Sequence, residues 1–242
     1  MIETTSTTNT RIFQRVPVLD ALRGLAVALV LIYHLHEYVP LLWPGLSAFG
    51  ETGSVSRAMG FLWIGVDLFY VLSGFFIGMA VLRPSEWRPL AFIKSRLTRI
   101  LPAYYVSLIV IVALLEPALA NQLKGWVNIV MHVLMLHSLQ EWTMFSINGP
   151  YWTLGVEFGF YVAMLALAPA LRLRHGWLVL VLMFAVCYVW RANLLVGIAP
   201  EQRFFWGVQL FGALDEFALG IAVAMAHQRG LFNRFARFPV VT

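Results

Sequence analysis

Ionisable side chains stand in this sequence where their neighbours are too apolar to favour them. The stretch VLDALRGLAVALVLIYHLHEY holds Asp20, Arg23 and His34. Arg23 and His34 are eleven positions apart, about 1100° of helix and within about 20° of whole turns, so a helix carries both on one face about 16 Å apart. Asp20 lies one turn before Arg23, in pairing range. Imidazole titrates near neutrality, which suits His34 to moving a proton. The plainer alternative has Arg23 snorkelling to headgroups and His34 packed and hydrogen-bonded. Asp67 lies in GFLWIGVDLFYVLSGFFIG, whose Ser73 and Gly74 let another backbone come close. Ser73 lacks the turn pattern of an attacking serine and reads as packing or hydrogen bonding. In FIKSRLTRILPAYYVSL, Arg96 and Arg99 are one turn apart. They fit anchoring at a membrane edge or, as paired guanidinia, a phosphate clamp. NGPYWTLGVEFGFYVAML carries Glu157 after Trp152 and four positions before Tyr161. In hydrocarbon such groups cost about 2.5–3.5 kcal/mol each on insertion scales, so each is a candidate for function.

The elements that must position these residues follow from composition. Of 242 residues, 60% are hydrophobic and 12% charged, and mean hydropathy is +0.78. A soluble domain is nearer half apolar and a quarter charged, and could not bury this excess. Disorder is excluded on the same ground. One cysteine, Cys187, forms no disulfide framework. Neither His34 with His36 nor His132 with His137 has metal-ligand spacing, so no metal site is expected. The net charge of +5 is gathered in short stretches between apolar runs, with no basic face for nucleic acid.

The expected fold is therefore all-α, a polytopic transmembrane helical bundle with six or seven apolar segments. Spans are expected at about 18–39, 61–82, 100–120, 151–171, 177–197 and 204–226, each near the length a bilayer requires. The stretch 126–139 is too short for a plain span and is open between a short, a re-entrant and an interfacial helix. Residues 1–16 read as a cytoplasmic tail, and 17–242 as one membrane domain. Arg23 inside the first apolar run argues against a cleaved signal. Loop 83–99, with Arg83, Arg88, Lys94, Arg96 and Arg99 against Glu86, is expected to be cytoplasmic; loop 40–60, with Glu51 and Arg57, is expected outside. Arg172, Arg174, Arg229, Arg234 and Arg237 also fall inside only if 126–139 does not span.

Four motifs occur in order: LDALRG with ten residues between Arg23 and His34, then GVDLFYVLSGFFIG, SRLTRILPAYY and YWTLGVEFGFY. Together they resemble the membrane-bound acyltransferase family 3, over about residues 17–165, and LDEFALGIAVA at 214–224 resembles its late helix. Members O-acylate carbohydrates and related acceptors. The resemblance implies an integral-membrane O-acyltransferase that moves an acyl group, expected to be acetyl, from acyl-CoA to a hydroxyl of a sugar, glycoconjugate or macrolide-like acceptor. The acyl-CoA is a co-substrate, with no tightly bound cofactor, and the partners are that donor, the acceptor and membrane lipid. The family's Arg-His pair falls on Arg23 and His34, its paired arginines on Arg96 and Arg99, and its Trp-Glu pair on Trp152 and Glu157. Family serines are replaced at or beside Tyr151 and Gly155. Members carry more spans, so the chain is expected to lack C-terminal helices.

Transfer from a thioester requires removing the hydroxyl proton, stabilising the oxyanion and holding the donor. His34 is the expected general base, Arg23 steadies charge or donor phosphates, and Arg96 with Arg99 suits the phosphates of coenzyme A. Glu157 either orients His34 or binds the acceptor. Asp20, Asp67, Ser73, Gly74, Trp152 and Tyr161 are expected to line the pocket, with Arg23, His34 and Glu157 facing one cavity. The inner (plasma) membrane with a cytoplasmic N-terminus is the expected location. The rival reading is a transporter or proton-coupled flippase using the same buried charges.

Overall fold

A computed structural model describes residues 17–42 and 60–231, the side chains of 17 and 37–42 aside. The tail 1–16, Glu51, Arg57, Arg234 and Arg237 lie outside the described residues. The described residues are helical, with no strand among them. The chain divides into two compact units, Met1–Gly65 and Val66–Thr242.

The first unit is built on helix α1, Pro17–Leu42. Its apolar side chains point outward on several sides, among them Leu25, Val27, Leu31 and Leu35, as a helix bathed in lipid requires. A 3-10 turn, Phe61–Trp63, packs on it, with Trp63 edge-on to Tyr33 at 5.6 Å.

The second unit holds the long helices α2 (Ile64–Val81), α3 (Pro89–Val110), α6 (Tyr151–Leu171) and α7 (Trp177–Gly197), with α9 (Leu214–Gln228). Shorter helices α4 (Leu123–Val133), α5 (Glu141–Met144) and α8 (Arg203–Gly207) lie in the connections. Among the described residues, five helices are long and apolar enough to cross a membrane: Val18–His36, Phe61–Val81, Pro89–Leu115, Tyr151–Leu171 and Trp177–Gly197.

Two expectations are corrected. The third span begins at Pro89, with proline at a position that needs no N–H, so Lys94, Arg96 and Arg99 belong to a helix rather than a loop. The apolar run 204–226 is not one span. A turn breaks it at Gly207–Gly212, where a Cβ on Gly212 would stand 1.9 Å from the Gly207 carbonyl oxygen. Only the fifteen-residue α9 follows.

The two ends of the second unit differ. At one, the Arg172 guanidinium donates to the carbonyls of Val81 (2.6 Å), Arg83 (3.1 Å) and Ser85. The C-terminal ends of α2 and α6 therefore meet there, and the end of α9 and start of α7 line a cavity with them. This basic end holds Arg83, Arg172 and Arg229. Helix α3 leaves it and reaches the far end, where Tyr104 and Leu108 pack with Met135, Ile147 and Tyr151. Because α6 starts at that far end, residues 116–150 stay there and 126–139 does not cross. It is α4 and a turn closed by Met135 at φ 59°, a left-handed conformation costing a non-glycine residue about 1–2 kcal/mol.

The core lies where α2 crosses α9. A Cβ on Gly74 would stand 2.2 Å from the Phe217 carbonyl oxygen, and one on Gly220 2.0 Å from that of Val71. The helix backbones thus touch through small residues, the packing that lipid-embedded helices use in place of a hydrophobic drive. Phe217 stacks on Phe160 at 3.8 Å and packs at a tilt of 33° against Tyr70 at 4.8 Å.

Candidate active site

The close α2–α9 contact holds α2 so that its Ser73 faces α6. On α6, Glu157 and Tyr161 are one turn apart and share a face. Ser73 Oγ donates to Glu157 Oε1 at 2.7 Å, and Tyr161 OH donates to the same oxygen at 2.7 Å. Glu157 is 3% exposed. A carboxylate this deep is tolerated only with donors aimed at it, and two hydroxyls from two helices supply them. From α3, Arg96 enters the same region. It donates to the Phe76 carbonyl at 3.4 Å, lies 5.7 Å from the Phe92 ring centroid and is within electrostatic reach of Tyr161 and Glu157. Its Nε is buried without a hydrogen-bond partner among the described residues. The assembly is a buried carboxyl group held by two hydroxyls, with a guanidinium within electrostatic reach of it.

The other expected residues are placed as follows. Trp152 is buried one and a half turns before Glu157 and packs edge-on to Tyr70 at 6.4 Å. Gly74 is the contact point with α9. Arg99, unlike Arg96, is exposed. Asp67 is half-buried toward the far end, where the charges of Arg191 and Asp215 act on it. Arg23 and His34 belong to the first unit, both partly buried on α1, with Asp20 exposed. His34 Nδ1–H donates to the Val30 carbonyl at 2.7 Å, which fixes the tautomer and leaves Nε2 as the basic nitrogen.

A profile of the acyltransferase domain family matches residues 16–241. The chain belongs to this family. BcsY of Komagataeibacter xylinus, named as a membrane-bound transacylase, is 28% identical over 86% of this chain and 50% of its own. The peptidoglycan O-acetyltransferase OatA of Listeria monocytogenes is 29% identical over 61% of this chain and 23% of its own. YrhL of Bacillus subtilis, named as a peptidoglycan O-acetyltransferase, is 30% identical over 52% and 23%. The chain thus spans about half the length of the first relative and about a quarter of the other two. No solved structure matches it significantly.

Two polar assemblies of this acyltransferase-family chain escaped sequence reasoning. His132 of α4 and His137, beyond the Met135 turn, stack at 4.3 Å and 11°, both fully buried. His132 Nδ1–H donates to the Asn128 carbonyl (3.0 Å) and His137 Nε2–H to the Tyr151 carbonyl (2.9 Å). The remaining ring nitrogens, His132 Nε2 and His137 Nδ1, have no hydrogen-bond partner among the described residues. Burial lowers both imidazoles from their usual range, His132 to about 4, so the pair is neutral. No spacing rule foretells a stack made by a strained turn. The second assembly was findable. Arg191 stands inside the apolar run 177–197 and forms a forked ion pair with Asp215 (2.8 and 3.1 Å) at the start of α9. The reasoning that singled out Glu157 applies to it equally.

Proposed function

We propose that the chain is the membrane part of an O-acyltransferase that transfers an acyl group, acetyl in the simplest case, from acyl-CoA to a hydroxyl of a sugar or glycoconjugate. The observation that carries this reading is Glu157, buried in the family's Trp-Glu motif and held by hydroxyls from two helices. Such a site is costly in hydrocarbon and is by default a candidate for function. In the reaction, the acceptor oxygen attacks the thioester carbonyl, the C–S bond breaks, and coenzyme A leaves as the thiol. His34 Nε2 takes the hydroxyl proton, and the arginines Arg23, Arg96 and Arg99 carry the donor's phosphates and developing charge. Within the second unit, Glu157 held by Ser73 and Tyr161, with Trp152 on the same helix, supplies the polar groups that steady the reacting centre in this reading. In this reading the basic end, with Arg83, Arg172 and Arg229, is the cytoplasmic one, as the positive-inside rule favours, and the chain belongs in the inner (plasma) membrane with its N-terminus on the cytoplasmic side.

The experiment is a labelled acetyl-CoA assay on membranes carrying the chain, with glycan acceptors supplied on the non-cytoplasmic side. Label in an alkali-labile ester on the glycan is expected, and His34→Gln lowers its rate about 10²-fold or more with insertion unchanged. Full activity in His34→Gln removes that residue from the mechanism. Movement of a labelled solute across the membrane with no ester formed favours the transporter instead.

A further inference from the structure

At the far end, between the 3-10 turn Pro117–Asn121 and the start of α4, lies a cavity of about 250 Å³, enough for one sugar ring. Its polar lining is Glu116, Gln122, Lys124 and Asn128, and Trp142 supplies an aromatic wall. The cavity is built into the fold. A Cβ on Gly125 would stand 1.8 Å from the Leu119 carbonyl oxygen, so only glycine lets the turn lie this close to α4. Trp126 Nε1–H ties the same turn down through the Ala120 carbonyl at 2.9 Å.

Three observations point to a neutral polyhydroxyl ligand. Asn128 is 4% exposed. Its Oδ1 accepts from Ser146 Oγ at 2.9 Å, while its amide nitrogen donates to no described residue although the side chain lines the cavity. An amide that lines the cavity can donate to a ligand or to water. The one carboxylate and one ammonium cancel, which disfavours phosphates and polyanions. A carboxylate, two amides and an ammonium can each pair with neighbouring hydroxyls, and Trp142, 41% exposed with the Lys124 ammonium 5.2 Å from its ring centroid, adds an indole wall on the side the ammonium does not cover. A chain of contacts runs from Asn128, through its backbone carbonyl, into the bundle. Asn128 accepts from His132, His132 stacks on His137, and His137 donates to Tyr151 at the head of the helix that bears Glu157.

We propose that this cavity is a subsite for one pyranose residue of a carbohydrate acceptor, held at the end of the bundle opposite the basic end. The word acceptor rests on the acyl-transfer reading above; sugar binding does not. The test is saturation-transfer NMR on the full chain in nanodiscs with tetrasaccharides of N-acetylglucosamine, glucose and mannose, for wild type, Trp142→Ala and Glu116→Gln. Both variants alter exposed positions, and their circular dichroism and unfolding temperature serve as fold controls. At least one tetrasaccharide is expected to bind, with affinity reduced about tenfold or more in each variant. Binding of none, or binding insensitive to both substitutions, overturns the subsite. So does acetyl transfer whose acceptor KM is the same in Trp142→Ala as in wild type, an outcome that leaves the acyltransferase intact. Variant-sensitive binding in a chain that transfers no acetyl group keeps the subsite and removes the acyl-transfer reading.

Discussion

The second unit buries polar groups in two places and treats them in opposite ways. In the helical core, Glu157 sits under two hydroxyl donors that converge on one of its oxygens, Ser73 from α2 and Tyr161 from its own helix. At the far end, His132 and His137 each spend one N–H on a backbone carbonyl, and their second nitrogens have no described partner. Donors aimed at a carboxylate favour its charge; carbonyls beside an imidazole, with burial dominating, leave it neutral. One site converges donors on a carboxyl oxygen, and the other keeps two imidazoles neutral. A carboxyl group held this deep by hydroxyls is suited to steering a reaction, whereas a neutral stack is suited to holding a turn.

Breaking the first site is expected to have the largest effect. Glu157→Ala strands both hydroxyls, lowering stability by about 2–4 kcal/mol and transfer by about 10²-fold or more. Glu157→Gln keeps the shape and an acceptor oxygen, so its fold is expected to survive while transfer falls. Labelled-acetyl assays beside thermal unfolding in detergent check both, and wild-type transfer by Glu157→Gln would show that the charge is not used.

The histidine pair is broken by acid instead. His132 titrates near 4 in the folded chain against an ordinary value near 6.5, and His137 is lowered in the same direction. Between those values the unfolded chain binds more protons, so this stability is complete above about pH 6.5 and lost as pH falls toward 4. The amount is roughly 3 kcal/mol for His132. Unfolding midpoints across that window, for wild type and for His132→Phe with His137→Phe, measure it. An acid slope unchanged in the double variant would mean that the stack does not control it.

Single donors give the smallest effect. Tyr161→Phe and Ser73→Ala each remove one hydrogen bond to Glu157 Oε1 and are expected to cost about 1–3 kcal/mol. Their double variant should cost less than the sum if the two donors share one oxygen's capacity, which a double-mutant cycle reads directly.

Hydropathy placed α6 and α7 to the residue, because an apolar run bounded by Gly-Pro and by Arg-rich turns has nowhere else to end. It started α3 eleven residues late, since Lys94, Ser95, Arg96 and Thr98 look like loop to a scale that measures hydrocarbon rather than helix. It fused 204–226 because composition does not register the turn made by Gly207 and Gly212. Glu157 and Arg96 stood out as charges among apolar neighbours. That Ser73, 84 positions away, bonds the same carboxylate oxygen as Tyr161 depends on how α2 crosses α9, and spacing along one helix carries no trace of it. The histidine stack was hidden for a similar reason: its geometry is set by a left-handed residue at Met135.

The three carbonyls gathered by Arg172 also impose an order in time. Val81 is made 91 residues before the guanidinium that will hold it, roughly 5 to 20 seconds earlier at about 5–20 residues per second. Until then the carbonyls of Val81 and Ser85 lack this donor, while that of Arg83 already accepts from the Ser85 N–H at 2.8 Å, so the end of α2 stays open to water at the bilayer surface. Arg172 acts as a late-thrown bolt: α2 enters the membrane early, but its depth becomes fixed only when α6 has followed it in.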